Sequence, residues 1–222
     1  MKNDEKQNSQ DKPRYYGIQP ETGSEKQFIK IVQNYADNID SKFDEEFKET
    51  YDTIKELINR YDEAKEGKTD ENNTIKVNNF SYPKTFHITT AFRYSDDFDQ
   101  SLEYVKEFEE GKQVDFQILG VVAIPDEMIV TVVKGNFSSK NKFTHISTFI
   151  GGLKPKLSND ILCSIFDEGK EMEEDYNNIV EGKIEECTKK VKVTVEEKEY
   201  DGYVYLRKNT EIIKGRMKAY YS

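Results

Sequence analysis

The sequence predicts an α+β fold, because its apolar residues follow helical spacing in some segments and strand composition in others. Residues 28–61 carry an apolar side chain every three or four positions, which is typical of amphipathic helices. Residues 116–150 are rich in β-branched and aromatic residues and are interrupted by turn signals, which favours strands. With 14 Tyr and 13 Phe, the chain also has the bulky apolar surface that a disordered chain lacks.

The first half of the chain is predicted to hold a tail, two strands and three helices. Residues 1–13 are polar and charged, so we expect a flexible tail there and a single domain over 14–222. Aromatic residues at 15–18 predict a strand that stops at Pro20, and the polar run over 67–79 predicts a loop. Periodicity and β-branched content predict the remaining elements: helices over 28–39, 43–61 and 98–108, and a strand over 83–92.

The second half is predicted to be mainly strands with one helix among them. Pro125 and Gly135 mark breaks between strands, and Ser158 is placed to cap a helix. Asp201-Gly202 is a typical hairpin-turn dipeptide. The strands are predicted over 116–124, 128–133, 143–150, 191–195, 203–206 and 212–221.

The charge of the chain limits its partners. Lys and Arg number 33 against 43 Asp and Glu, a net charge of −10, which argues against binding along a nucleic-acid track. A small nucleotide or a single RNA terminus remains compatible with this charge. The sequence has no signal peptide, no membrane span, and two cysteines at neither metal-ligand nor disulfide-framework spacing. We therefore expect a cytoplasmic monomer that does not associate with membranes.

Both histidines of the chain occur in the same local pattern. Each is followed two positions later by a hydroxyl residue, as His87-x-Thr89 and His145-x-Ser147, inside a predicted strand. Side chains alternate between the two faces of a strand, so each imidazole shares a face with its hydroxyl. Two unrelated histidines, each satisfied by a neighbouring hydroxyl, are the purely structural alternative. The repetition of the pattern in matching contexts favours a functional role.

This residue set suits phosphoester hydrolysis without a metal ion or another cofactor. One neutral imidazole accepts a proton from water, and one protonated imidazole donates a proton to the leaving oxygen. The hydroxyls would hold the phosphoryl oxygens as charge develops on them. Imidazole serves in both roles because its unperturbed pKa lies near neutrality.

The paired motifs resemble the signature of the 2H phosphoesterase superfamily. Its fold is two-lobed α+β, with two antiparallel sheets that face a central cleft and helices outside. Within the superfamily, the chain also resembles the catalytic domain of 2′,3′-cyclic-nucleotide 3′-phosphodiesterases. The segments that carry this resemblance are the opening strand 15–17, the strand 86–92, the apolar run 116–125 and the closing stretch 202–221.

The resemblance implies roles for five residues. His87 and His145 would be the catalytic acid–base pair, Thr89 and Ser147 would bind the phosphate, and Tyr15 would contact the substrate. The implied reaction converts 2′,3′-cyclic phosphates of nucleotides or RNA 3′ ends to 2′-phosphates, a step of RNA processing. His145 is favoured as the base, although the reverse assignment remains open.

Two other functions are compatible with the same residues, and two further segments have both a functional and a structural interpretation. The same scaffold could hydrolyse 2′–5′ or cyclic oligonucleotide signals, or bind nucleotides or RNA without turnover. Phe86 and Phe92 could stack on a base or lie in the core, and residues 151–156 could cradle a phosphate or form a plain loop. No Gly-x-x-x-x-Gly-Lys-Ser/Thr motif occurs, so an RNA-end kinase step would require another protein.

Overall fold

The computed structural model describes residues 13–40, 45–65, 76–83, 85–92, 106–167, 169–170, 172–208 and 211–221. The helices are α1 (Thr22–Asp40), α2 (Glu45–Asn59), α3 (Tyr61–Lys65), α4 (Ser158–Phe166) and α5 (Glu173–Glu181), with a 3-10 turn at Pro155–Leu157. The strands are β1 (Tyr15–Pro20), β2 (Lys76–Val77), β3 (Phe80–Ser81), β4 (Ile88–Phe92), β5 (Gln113–Ile124), β6 (Met128–Gly135), β7 (His145–Ile150), β8 (Glu186–Val195), β9 (Lys198–Arg207) and β10 (Ile213–Tyr220). The predicted α+β class is confirmed.

Six of these strands close into an antiparallel ring in the order β1, β10, β5, β6, β7, β4 and back to β1. β9 and β8 extend the sheet from β5, and β3 and β2 extend it from β7. All ten strands of the described ranges thus belong to one hydrogen-bonded sheet, whereas the resemblance implied two sheets facing a cleft. The long β5 makes this continuity, because its first residues pair with β10 and its later residues with β6 and β9.

The helices cover two opposite faces of the sheet. Successive side chains of β5 point to opposite faces, so Val121 packs into the core beneath α1 and α2 while Val122 packs into the core beneath α4 and α5. Both valines are almost fully buried. This double burial explains why the central strand reads as a continuous apolar run instead of an alternating one.

Several local predictions need correction. The predicted hairpin turn at Asp201-Gly202 is wrong, because both residues lie inside β9 and the turn falls at Glu196 and Glu197, which adopt positive φ. Gly202 instead sits where a Cβ would come within 2.7 Å of a methyl group of Val193. The predicted loop over 67–79 contains the short strand β2, and its partner β3 follows directly after the loop.

Parts of several predicted segments fall on residues that the structure does not describe. Residues 1–12 of the predicted tail and residues 98–105 of the predicted helix over 98–108 lie outside the described residues, as do residues 43–44 of the predicted helix over 43–61 and residues 67–75 of the predicted loop over 67–79. Within the described ranges, no helix combines the length and the apolar character needed to cross a membrane.

Candidate active site

The two histidine motifs are brought together by a single cross-strand pair. β4 and β7 run antiparallel with Ile88 opposite Ile146, and both isoleucines are fully buried in the core. The residues on either side of this pair point to the opposite face. That register sets His87 beside Ser147 and Thr89 beside His145, with the imidazoles on one diagonal, where backbone separations are roughly 7–8 Å.

The two imidazoles are held in the same way. His87 lies directly before β4, not inside it as predicted, and its Nδ1 is 3.2 Å from the carbonyl oxygen of Thr85. The Nδ1 of His145 is 2.7 Å from the carbonyl oxygen of Phe143. A carbonyl oxygen only accepts, so each Nδ1 carries the hydrogen and each neutral Nε2 keeps a free lone pair. Each histidine thus uses the carbonyl two residues earlier in the chain as its anchor.

Burial favours the neutral form of both histidines. It lowers the pKa of His87 below its ordinary value, while the hydrogen bond to Thr85 acts in the opposite direction. It also lowers the pKa of His145, which is only 7% exposed, and the positive form of nearby His87 adds to this effect.

Two tyrosines form an aromatic wall beside His87. The Tyr15 and Tyr220 rings stack with centroids 4.4 Å apart, and each centroid lies 5.2 Å from that of the His87 imidazole. Gly17 is required by the close approach of β4, since a Cβ there would lie 2.6 Å from the carbonyl oxygen of Ile88, whereas its distance of 3.4 Å to the Tyr220 ring would be an ordinary contact. The hydroxyl of Tyr220 is buried and finds no hydrogen-bond partner among the described residues.

A cavity of about 400 Å³ opens over the four motif residues. Lys156 is the charged side chain among the described residues that line it, and no carboxylate is among them. The Phe92 ring, 41% exposed, also lines this space. The described lining consists of Tyr15, Pro83, His87, Thr89, Phe92, Asn141, His145, Ser147, Ile150, Pro155, Lys156 and Asn159.

The two motif hydroxyls differ in their hydrogen bonds. No described residue bonds to the Thr89 hydroxyl, although the Thr89 carbonyl accepts a hydrogen bond from Asn141 Nδ2 at 3.0 Å. The Ser147 Oγ lies 2.7 Å from the Oγ of Ser158, at the start of α4. Ser158 was predicted to cap α4, but its hydroxyl makes no cap and faces Ser147 and the Pro155 carbonyl instead.

The loop after β7 contributes to the cavity through its later residues. The amides of Gly151 and Gly152 donate to backbone carbonyls of the β5–β6 turn, so they are already used within the fold. A Cβ on Gly151 would come within 2.2 Å of the Asp126 carbonyl oxygen, which accounts for the glycine. Of the predicted phosphate cradle, Pro155 and Lys156 line the cavity.

Some residues of the site were missed or misread from sequence. Phe86 is a core residue packed against Phe28, whereas Phe92 lies on the cavity wall. Neither Asn141 nor Ser158 has a fixed spacing to a histidine motif, so no sequence signal assigned either of them to the site, although Ser158 was predicted as a helix cap. The described residues contain no cluster of three or more His, Cys, Asp or Glu that could hold a metal ion.

Comparisons with known proteins give a likeness in fold alone. No protein-family model matches the chain, and no curated protein sequence matches it. Among solved structures, a crystal structure of a fungal RNA kinase matches with a TM-score of 0.56 at 15% sequence identity. The match covers 98% of this chain and 47% of the other, so this chain spans about half the length of that protein.

Proposed function

We propose that the chain is a metal-independent phosphodiesterase of the 2H phosphoesterase type, which opens 2′,3′-cyclic phosphates of nucleotides or RNA 3′ ends to 2′-phosphates. The observation that carries this proposal is the Ile88–Ile146 pair, which sets two equally anchored histidines and two hydroxyls on one face beneath a cavity. A phosphoryl group centred over that face would have an imidazole on either side.

Burial and ring contacts favour His145 as the base and His87 as the acid. His145 is the more enclosed ring, and a positive His87 disfavours its protonation, so its Nε2 is suited to accept a proton from water. His87 lies against the Tyr15 and Tyr220 rings, whose electron-rich faces can stabilise an imidazolium. In the proposed step, water attacks phosphorus as His145 takes its proton. The bond to the 3′ oxygen breaks, and His87 protonates that oxygen.

The substrate would supply a negative charge that favours protonation of a histidine in the site. Both histidines favour the neutral form when the cavity is empty of anions, because burial lowers their pKa. A bound phosphodiester carries a negative charge, which raises the pKa of a nearby imidazole. Substrate binding would therefore protonate one histidine where the reaction needs an acid, with Thr89 and Ser147 donating to the phosphoryl oxygens.

The lining of the cavity supports an anionic ligand in an acidic chain. The net charge is −10, yet Lys156 is present and carboxylates are absent among the described lining residues. The solved structure that shares this fold is that of an RNA kinase, which supports an RNA end as a candidate substrate. Tyr15 and Phe92 offer aromatic surface for the base of the terminal nucleotide, a contact worth about 1–3 kcal/mol per base.

Turnover of defined substrates in EDTA tests this proposal. The panel consists of a 2′,3′-cyclic nucleotide, RNA ending in a cyclic phosphate, 2′–5′ oligoadenylate and a cyclic dinucleotide. We expect the first two to react and to give the 2′-phosphate isomer, identified by ³¹P NMR. Hydrolysis of only the last two would favour a signal hydrolase, and tight binding of the first two without turnover would favour a non-catalytic module.

A matched variant separates site chemistry from general damage. Thr148 is a buried hydroxyl residue of β7 whose Oγ1 lies 2.6 Å from that of Thr131, away from the cavity lining. Thr148→Val should retain the wild-type rate. Loss of all turnover in EDTA, with recovery on adding a divalent metal ion, would contradict the two-histidine mechanism.

A further inference from the structure

Ser158 occupies an unusual position behind the Ser147 hydroxyl. It is the first residue of α4 and its relative exposure is 0%. Its Oγ lies 2.7 Å from the Ser147 Oγ, 2.9 Å from the Pro155 carbonyl oxygen and 3.0 Å from the Met128 sulfur. A small buried hydroxyl therefore faces three different acceptors.

The number of hydrogens decides how these contacts are arranged. A serine hydroxyl carries one hydrogen, and neither a carbonyl oxygen nor a thioether sulfur can donate. When Ser158 donates to the Pro155 carbonyl, the contact at 2.7 Å is kept only if Ser147 donates to Ser158. The Ser147 hydrogen then points toward Ser158 and not into the cavity. A phosphoryl oxygen bound in the cavity would need that hydrogen.

We propose that Ser158 is a positioning residue that reverses its hydrogen bond with Ser147 when a phosphoryl group binds. This inference rests on the proposed function and assigns Ser158 a part in it. Ser158 turns its hydrogen from the Pro155 carbonyl to the Ser147 Oγ, and Ser147 turns its own hydrogen to the phosphoryl oxygen. Two hydroxyl rotations suffice, and no heavy atom has to move.

The reversal leaves the Pro155 carbonyl hydrogen-bonded. The Pro155 carbonyl still accepts a hydrogen bond from the backbone N–H of Ser158. In the reversed arrangement, two hydroxyls donate in series toward an anion, and hydrogen bonds in such a chain strengthen each other. Thr89 has no equivalent relay among the described residues, so the device belongs to the second motif alone.

A double-mutant cycle between Ser158 and Ser147 tests the inference. The value of kcat/KM on a 2′,3′-cyclic nucleotide is measured for wild type, Ser147→Ala, Ser158→Ala and the double variant. We expect Ser158→Ala to lower kcat/KM roughly 3- to 10-fold, the worth of one hydrogen bond, mainly through KM. In the Ser147→Ala background, the same change should have no further effect, because Ser158 acts only through Ser147.

Two controls keep the outcome decisive. Thr148→Val removes another buried hydroxyl of β7 and should leave kcat/KM unchanged. Ser158→Cys keeps the volume of the side chain but donates weakly, so it carries the test if Ser158→Ala does not fold.

Three results would overturn the inference. The first is a Ser158 variant that is active and has an unchanged or raised kcat/KM. The second is an equal loss of kcat/KM from Ser158→Ala with and without the Ser147 hydroxyl. The third is a wild-type protein inactive on every substrate, which would remove the proposed function as well. An active wild type with unaffected Ser158 variants would remove the relay alone.

Discussion

Gly17 offers a test of how tightly β1 positions the first histidine motif. It lies in β1 opposite Thr89 of β4, and a Cβ added there would come within 2.6 Å of the Ile88 carbonyl oxygen. A Cβ needs at least 3.0 Å, so Gly17→Ala must move β1 and this carbonyl apart by 0.4 Å or more. Ile88 stands between His87 and Thr89, so the displacement passes directly to both.

The expected cost follows from this shift. Overpacking at a buried site costs about 1–3 kcal/mol of unfolding free energy. A misplacement of about 1 Å can cost a hundredfold in rate, so we expect the shift of 0.4 Å in Gly17→Ala to lower kcat/KM roughly 5- to 10-fold. Urea denaturation and steady-state kinetics on a 2′,3′-cyclic nucleotide measure the two effects separately.

Gly23 provides the matched control for this substitution. A Cβ at Gly23 would meet no atom within 4 Å, and the residue lies at the start of α1. Gly23→Ala should leave kcat/KM unchanged and raise stability by up to about 1 kcal/mol. Wild-type kinetics and stability in Gly17→Ala would refute the reasoning that β1 fixes the position of the motif.

Three further expectations concern charge and burial. Lys156→Ala should raise KM several-fold with little change in kcat, and added salt should reduce the difference between variant and wild type. Because burial lowers the pKa of both histidines, the unfolded chain gains protons first as pH falls below about 6.5, so unfolding free energy should decrease there. His145→Asn should make that decrease shallower in urea titrations at several pH values, and an unchanged slope would contradict the assignment. Tyr220→Phe removes a buried hydroxyl that has no hydrogen-bond partner in the described part of the chain, so thermal unfolding should show equal or higher stability, and a clear loss would contradict this reasoning.

The sequence predicted the content of the site better than its assembly. Strand alternation was enough to place each imidazole on the same face as its hydroxyl. Which strands pair is a long-range property, and the spacing within either motif does not contain the contact between Ile88 and Ile146. The α+β class was predictable for the same local reason, because helical and strand periodicities are properties of short segments.

The misread elements show where local signals lose to packing. Asp201-Gly202 is a strong turn signal, yet Gly202 is buried against Val191 and Val193 inside a hairpin whose turn is built from two glutamates. Gly151 resembled a phosphate cradle, but its missing side chain serves close contact with a neighbouring turn. A glycine signals unusual backbone or close approach, and composition alone does not distinguish the two.

The rate of 2′,3′-cyclic nucleotide hydrolysis in EDTA by single and double histidine variants tests the central claim most directly. Each of His87→Ala and His145→Ala should lower kcat by about 10²- to 10⁴-fold while the protein stays folded. The kcat of the double variant should be only slightly below that of the less active single variant, because the two imidazoles act as one unit on the same phosphoryl group. Near-wild-type turnover in either single variant would contradict the account.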